Sequence, residues 1–169
     1  RSSSWLEMET LRKYFGEAGS LEELVEVSQL LQSVGYKCIF EEARRQKPYC
    51  SMAINWCFNE PWPTAVNNSL IGYPNKTKPA FAAVSASCRP VLASASFDKF
   101  TWQPGEELNI GCWILNDSSN QVEKGEVSVY VQIGGKRQKL LTWNFPRLDP
   151  NTNYHGPDIH FRLPGNMKK

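Results

Sequence analysis

Several things are scarce in this sequence, and each scarcity excludes a class of protein. No apolar run approaches the roughly 18 residues that a membrane-spanning helix requires, and no partner membrane is expected. Nor does an apolar h-region follow Arg1-Ser2-Ser3-Ser4, so no secretory leader is expected there. Histidine is limited to His155 and His160, and the five cysteines (Cys38, Cys50, Cys57, Cys88, Cys112) include no C-x-x-C pair. A zinc site is therefore not expected, and an odd count at unrelated spacings predicts free thiols that pack as small hydrophobes. G-x-G-x-x-G, the P-loop, H-E-x-x-H and G-x-S-x-G are all absent, so no cofactor and none of those catalytic frameworks is expected. An excess of one charge is lacking too: the net charge is +2 and the pI about 8.3. The run Arg44-Arg45-Gln46-Lys47 is offset by Glu41-Glu42, which argues against a nucleic-acid partner.

What remains is ordinary globular material with an aromatic surplus. The 169 residues, 41% hydrophobic and 21% charged, suit one domain or two small ones. Aromatic residues reach 12%, which fits either sugar-facing surfaces or a large β core. The chain starts at Arg1 rather than Met, and the expectation is that Arg1 is internal to a longer protein.

The two halves read differently. Apolar residues at 5, 8, 11, 14 and 15 have helical spacing, closed by Gly16 and Gly19. Ser20-Leu21-Glu22-Glu23 is a capping box, in which the Ser hydroxyl accepts from the third amide while the Glu reaches back. The helix that it opens carries Leu24, Val27, Leu31, Val34 and Cys38 on one stripe, expected to be core. That helix is predicted to run past Gly35 to Gln46, ahead of Pro48. Cys50 to Phe58 lacks Gly and Pro and predicts a buried strand entering the rigid loop Asn59-Glu60-Pro61-Trp62-Pro63. Asn67 to Lys78 reads as loop, and Pro79 to Cys88 as a short helix stopped by Pro90.

After Pro90 the rhythm is that of strands. Val91 to Phe97 is one, and Gln103-Pro104-Gly105-Glu106 is a type II turn. Leu108, Ile110, Cys112 and Ile114 alternate up to a break at Asn116-Asp117-Ser118-Ser119-Asn120. Val127, Val129 and Val131 alternate up to the Gly134-Gly135 hairpin, and Leu140 to Phe145 and Ile159 to Leu163 follow. Five to six short strands at this spacing predict an antiparallel sandwich. His155 and His160 fall near turns and are expected at an edge or in solvent. Asn67, Asn75 and Asn116 open N-x-[ST] triplets, acceptors only in a eukaryotic secretory setting.

The most informative stretch is Trp56-Cys57-Phe58-Asn59-Glu60-Pro61-Trp62-Pro63, a predicted strand ending in polar and aromatic residues. Rims of (β/α)8 barrels look like this, because their chemistry lies on βα loops. Three readings stand side by side. Glu60 could be the acid of a glycosidase, since Asn-Glu-Pro is a common setting for that carboxyl. Trp56 and Trp62 could be sugar platforms, with Glu60 binding a hydroxyl. The stretch could also be a tryptophan-rich turn packed between domains. Hydrolysis by the usual route needs two carboxyl groups, about 5 Å apart in retaining enzymes. The acids after Glu60 lie in the strand-rich half, mostly at turns, so no catalytic residue is assigned within the chain.

From Leu30-Leu31-Gln32 through Tyr36, Glu41-Glu42-Ala43-Arg44-Arg45, Lys47-Pro48-Tyr49-Cys50-Ser51 and Trp56 to Pro63, the sequence resembles glycoside hydrolase family 2, in its β-mannosidase-like branch. There the last barrel strand reads Trp-Gln-Leu-Asn-Asp-x-Trp-Pro. Ser69-Leu70-Ile71-Gly72-Tyr73, Lys78-Pro79-Ala80-Phe81 and Arg89-Pro90-Val91-Leu92 continue the likeness, which covers roughly residues 21 to 94. This chain departs from it with Cys57-Phe58 for Gln-Leu, Glu60 for Asp, Pro61 in the rim and Gly72 for a common Asp.

The resemblance implies a particular α+β architecture: the last βα portion of a (β/α)8 barrel over residues 1–89, then an immunoglobulin-like antiparallel β-sandwich over 90–169. It places both catalytic glutamates upstream, so this chain alone is expected to be inactive. Trp56, Asn59, Glu60 and Trp62 become substrate-binding residues, with Trp56 flooring the −1 sugar subsite. The implied partner is a β-mannoside or related β-glycoside, and the implied location is periplasmic or extracellular. A non-catalytic carbohydrate-binding or adhesion module is the alternative. An unclosed barrel strand also implies that the apolar helix face is covered in another way: by helix on helix, by the sandwich, or by self-association.

Overall fold

The computed structural model describes residues 6–166. It is a mixed α+β chain, with helices first and small antiparallel sheets after, and it divides into two compact units at the Arg89–Pro90 junction.

The first unit begins with α1, Met8–Phe15, which buries Leu11 and ends as Gly16 takes φ +80°. That left-handed conformation suits glycine. The expected start of this helix at Trp5 lies outside the described residues. Ser20 caps α2, Leu21–Arg45: its Oγ accepts from the Glu23 amide at 3.1 Å. Glu23 reaches back to the Gly19 N–H at 2.6 Å, one residue before the cap, so the box closes over both residues. Against α2 packs α3, Pro79–Ser87, with Pro79 in its first turn and Ala80 fully buried. Between them lies the hairpin of β1, Ile71–Gly72, and β2, Lys76–Thr77, a ladder that the loop reading of 67–78 does not anticipate.

Two expectations fail here. The stripe on α2 is not core: Leu24, Val27, Leu31 and Cys38 are half-buried, and Val34 is exposed. The reason is length, since α3 spans about 13 Å against about 37 Å for α2. The buried face of α2 is instead polar and near its end. Glu41 accepts from Lys37 and from the Ser87 hydroxyl (3.2 Å), and the Arg44 guanidinium donates to the Ser87 carbonyl. Cys50 to Phe58 is not a buried strand either. It is irregular, and Met52, Ile54, Trp56 and Phe58 are exposed. Among the described residues its far end is met at Phe58, by the amides of Leu70 and Ile71, with one parallel bridge just beyond at Asn59, and a strand without neighbours has no ladder to join.

Among the described residues the second unit has five strands: β3, Val91–Phe97; β4, Glu107–Asn116; β5, Gly125–Ile133; β6, Lys136–Phe145; and β7, Tyr154–Arg162. They form sheets β3-β4-β7 and β5-β6, antiparallel throughout. The alternation read at Leu108, Ile110, Cys112 and Ile114 is observed, and all four side chains are buried. They share one core with Trp143 of β6, Leu148 and Leu163. Gly105 takes φ +79° in the turn before β4, where the Glu106 amide donates to the Gln103 carbonyl at 3.1 Å. Strands β6 and β7 begin earlier than their apolar residues suggest, because Lys136 and Tyr154 are already in register with their partners.

All five cysteines are free thiols. Cys112 is core as expected, whereas Cys57 and Cys88 are exposed, so packing does not account for them.

Candidate functional site

The rim segment is held by backbone pairing on one side only. The amides of Leu70 and Ile71 both donate to the Phe58 carbonyl at 3.0 Å, and the Glu60 amide donates to the Ile71 carbonyl at 3.0 Å. This lays residues 58–60 beside the start of the β1–β2 hairpin and turns the Glu60 side chain inward, leaving it 8% exposed.

Both Glu60 oxygens are occupied there. Oε1 accepts from the Ser69 hydroxyl at 2.7 Å and from Lys78 Nζ at 2.8 Å, and Oε2 accepts from the Tyr73 amide at 3.2 Å. The Lys78 ammonium also donates to the Asn67 carbonyl and to Ser69 Oγ, each at 2.9 Å, which accounts for its three protons. Ser69 is fully buried, and its amide donates to Asn67 Oδ1 at 2.9 Å. From α2, Gln32 Nε2 donates to the carbonyls of Asn68 (2.8 Å) and Ser69 (3.2 Å), and the Tyr36 hydroxyl donates to Asn68 (2.8 Å). The helix thereby fixes the loop that carries the clasp.

Burial pushes the Glu60 carboxyl upward. Hydrogen bonds from Lys78, Ser69 and the Tyr73 amide, with the charge of Lys78, outweigh that effect and hold it at about 2. These donors favour the ionised carboxylate, and within this arrangement Glu60 ties the rim to the Lys78 loop.

The other residues picked out by sequence lie outside the clasp. Trp56 is 75% exposed, Trp62 65%, and Asn59 is exposed beside its bridge to Ile71. Neither indole stacks on another ring among the described residues, whereas Phe58 meets Phe81 edge-on at 6.3 Å. The rim thus presents two free indole faces and an amide, with an ionised anchor beneath. Sequence reasoning missed Lys78, Ser69 and Tyr73 as partners. A signal was present: Glu60 is the one acidic residue between Glu42 and Asp98, and a buried acid in a basic and neutral stretch must find a cation.

No family model matches the chain, and no curated protein matches it in sequence. In fold it is similar to β-D-mannosidase from Dictyoglomus thermophilum, with a TM-score of 0.70 and 20% identity over 89% of this chain. It is similar to the exo-chitosanase of Amycolatopsis orientalis, with a TM-score of 0.67 and 17% identity over 91%. The fold resembles a segment of family 2 glycosidases. At these identities the likeness is one of fold, and the chain spans 17% of the mannosidase and 18% of the exo-chitosanase.

Proposed function

We propose that this chain is the C-terminal portion of a retaining glycoside hydrolase acting on a β-mannoside or related β-glycoside. Both catalytic glutamates then lie upstream of Arg1, residues 1–89 end the catalytic barrel, and 90–169 form an immunoglobulin-like sandwich. The observation that carries this reading is the fold likeness, which extends over both units and 89% of the chain. In the whole enzyme, double displacement runs through a glycosyl-enzyme intermediate. Trp56, Asn59, Glu60 and Trp62 form the substrate-binding rim. The indoles offer flat apolar faces to sugar C–H groups, Asn59 offers an amide to a hydroxyl, and Glu60 fixes the loop from below through Lys78.

The test compares the 169-residue chain with the product of the whole reading frame that encodes it, on aryl β-D-mannoside, β-D-glucoside and β-D-glucosaminide. A silent chain beside an active whole protein is expected. Turnover by the chain alone, or a whole protein inert on the entire panel, overturns the proposal. The exposure of Trp56 and Trp62 favours a second reading, a non-catalytic sugar-binding module. That reading requires the inert whole protein to bind the same sugars, with binding lost on Trp56→Ala.

A further inference from the structure

The turn that carries Trp56 holds two unfavourable features side by side. Cys57 takes φ +65°, a left-handed conformation that a residue with a Cβ seldom adopts. Two residues before it, Asn55 Oδ1 is buried with no donor among the described residues. Both features cost folding free energy, and costs of this kind gather where a site needs a set geometry. One hydrogen bond joins them: Asn55 Nδ2 donates to the Cys57 carbonyl at 2.9 Å. That bond also fixes the amide's direction, because a flipped amide would set Oδ1 against the carbonyl oxygen. The Asn55 side chain therefore bridges Trp56, from the residue before it to the carbonyl of the residue after. Just beyond, the chain is anchored, since the Phe58 carbonyl accepts from the amides of Leu70 and Ile71 and its ring meets Phe81 edge-on. Between the bridge and the anchor the Trp56 indole stands out into solvent.

We infer that Asn55 is a positioning residue for Trp56: its amide locks the 55–57 turn and so sets the plane in which the indole meets a sugar ring. The inference rests on the proposal that Trp56 belongs to a substrate-binding rim. A stacking face acts through its orientation as well as its area, and a small misplacement of a group that orients substrate is costly in rate. No ladder holds residues 55–57, so nothing regular in the backbone fixes the indole from below. The bond from Asn55 does that instead. Without it the Cys57 peptide is free to leave the left-handed region, and Trp56 turns with the backbone.

The test is a double-variant cycle in the product of the whole reading frame, read as kcat/KM on aryl β-D-mannoside, β-D-glucoside and β-D-glucosaminide. Asn55→Ala should lower kcat/KM about tenfold on the glycoside that is turned over. Trp56→Ala should lower it at least as much. Asn55→Ala/Trp56→Ala should fall no further than Trp56→Ala alone, because the amide acts through the indole. A residue that only supports the fold would lower activity with or without the ring, so the two losses would multiply. In the 169-residue chain, the Trp56 indole N–H resonance, assigned by its loss in Trp56→Ala, should move in Asn55→Ala. The resonance of buried Trp143 should stay, which verifies that the fold is intact. Unchanged kcat/KM in Asn55→Ala, multiplied losses in the double variant, or a Trp56 resonance that does not move overturns the inference. A whole protein inert on all three glycosides overturns the hydrolase reading and this role with it. An active one that is indifferent to Asn55→Ala overturns the role alone.

Discussion

Glu60 and Lys78 show how one ion pair can decide the shape of a loop. Taking a carboxylate out of water costs several kcal/mol unless donors replace the lost hydration, and here Ser69, Lys78 and the Tyr73 amide do so. Removing one partner should therefore cost more than removing both. Lys78→Met leaves a buried carboxylate with two neutral donors, and urea denaturation should show a loss of about 3 kcal/mol. The double variant Lys78→Met/Glu60→Gln should recover part of it. The pH dependence has a definite sign. The carboxyl lies at about 2 in the folded chain against an ordinary value of 4.5, so on acidification the unfolded chain takes up the proton first. The clasp contributes fully above about 4.5, and its contribution is lost as pH falls toward 2. Denaturation midpoints measured across that window should fall in the native chain and fall less in Glu60→Gln. An equal fall in both would place the acid sensitivity elsewhere.

Among the elements, α2 is the one most open to adjustment. Gly35 lies inside a helix of 25 residues, and a Cβ there would meet nothing within 4 Å. Gly35→Ala should stabilise the chain by about 0.5–1 kcal/mol by reducing the freedom of the unfolded backbone, seen as a higher denaturation midpoint. Gly156 is the opposite case, since a Cβ on that β7 residue would lie within 2.8 Å of three Trp143 ring carbons. Gly156→Val should cost about 1–3 kcal/mol through overpacking, measured the same way.

These elements also show what the sequence made legible. The Ser20 cap, Pro79 at a helix start, Pro104-Gly105 and the alternation of Leu108 to Ile114 are local signals with local causes, and each appears where it was read. Cys50 to Phe58 has strand composition, but a strand is completed by neighbours that composition does not supply. The clasp was half legible. Glu60 stood out, whereas Lys78, 18 residues further on, is brought to it by a hairpin of two-residue strands that no periodicity announces.

At the scale of the whole chain, the segment that failed to become a strand has a consequence for association. Met52, Ile54, Trp56 and Phe58 are apolar at alternate positions, and all are at least 59% exposed. Period two with no covering partner is the pattern of a strand face, and unpaired backbone beside exposed apolar side chains is a site for another copy to dock. The 169-residue chain should therefore self-associate through this segment. Met52 and Ile54 are the residues to change, because Phe58 already packs on Phe81 and Trp56 belongs to the proposed rim. Covering each of the two side chains is worth about 1.5 kcal/mol or more per copy. Met52→Lys/Ile54→Lys should accordingly weaken association more than tenfold in sedimentation velocity, with an unchanged circular dichroism spectrum. Association that persists undiminished in this variant would place the contact elsewhere on the chain, with the open edges of β5 and β6 next to be altered.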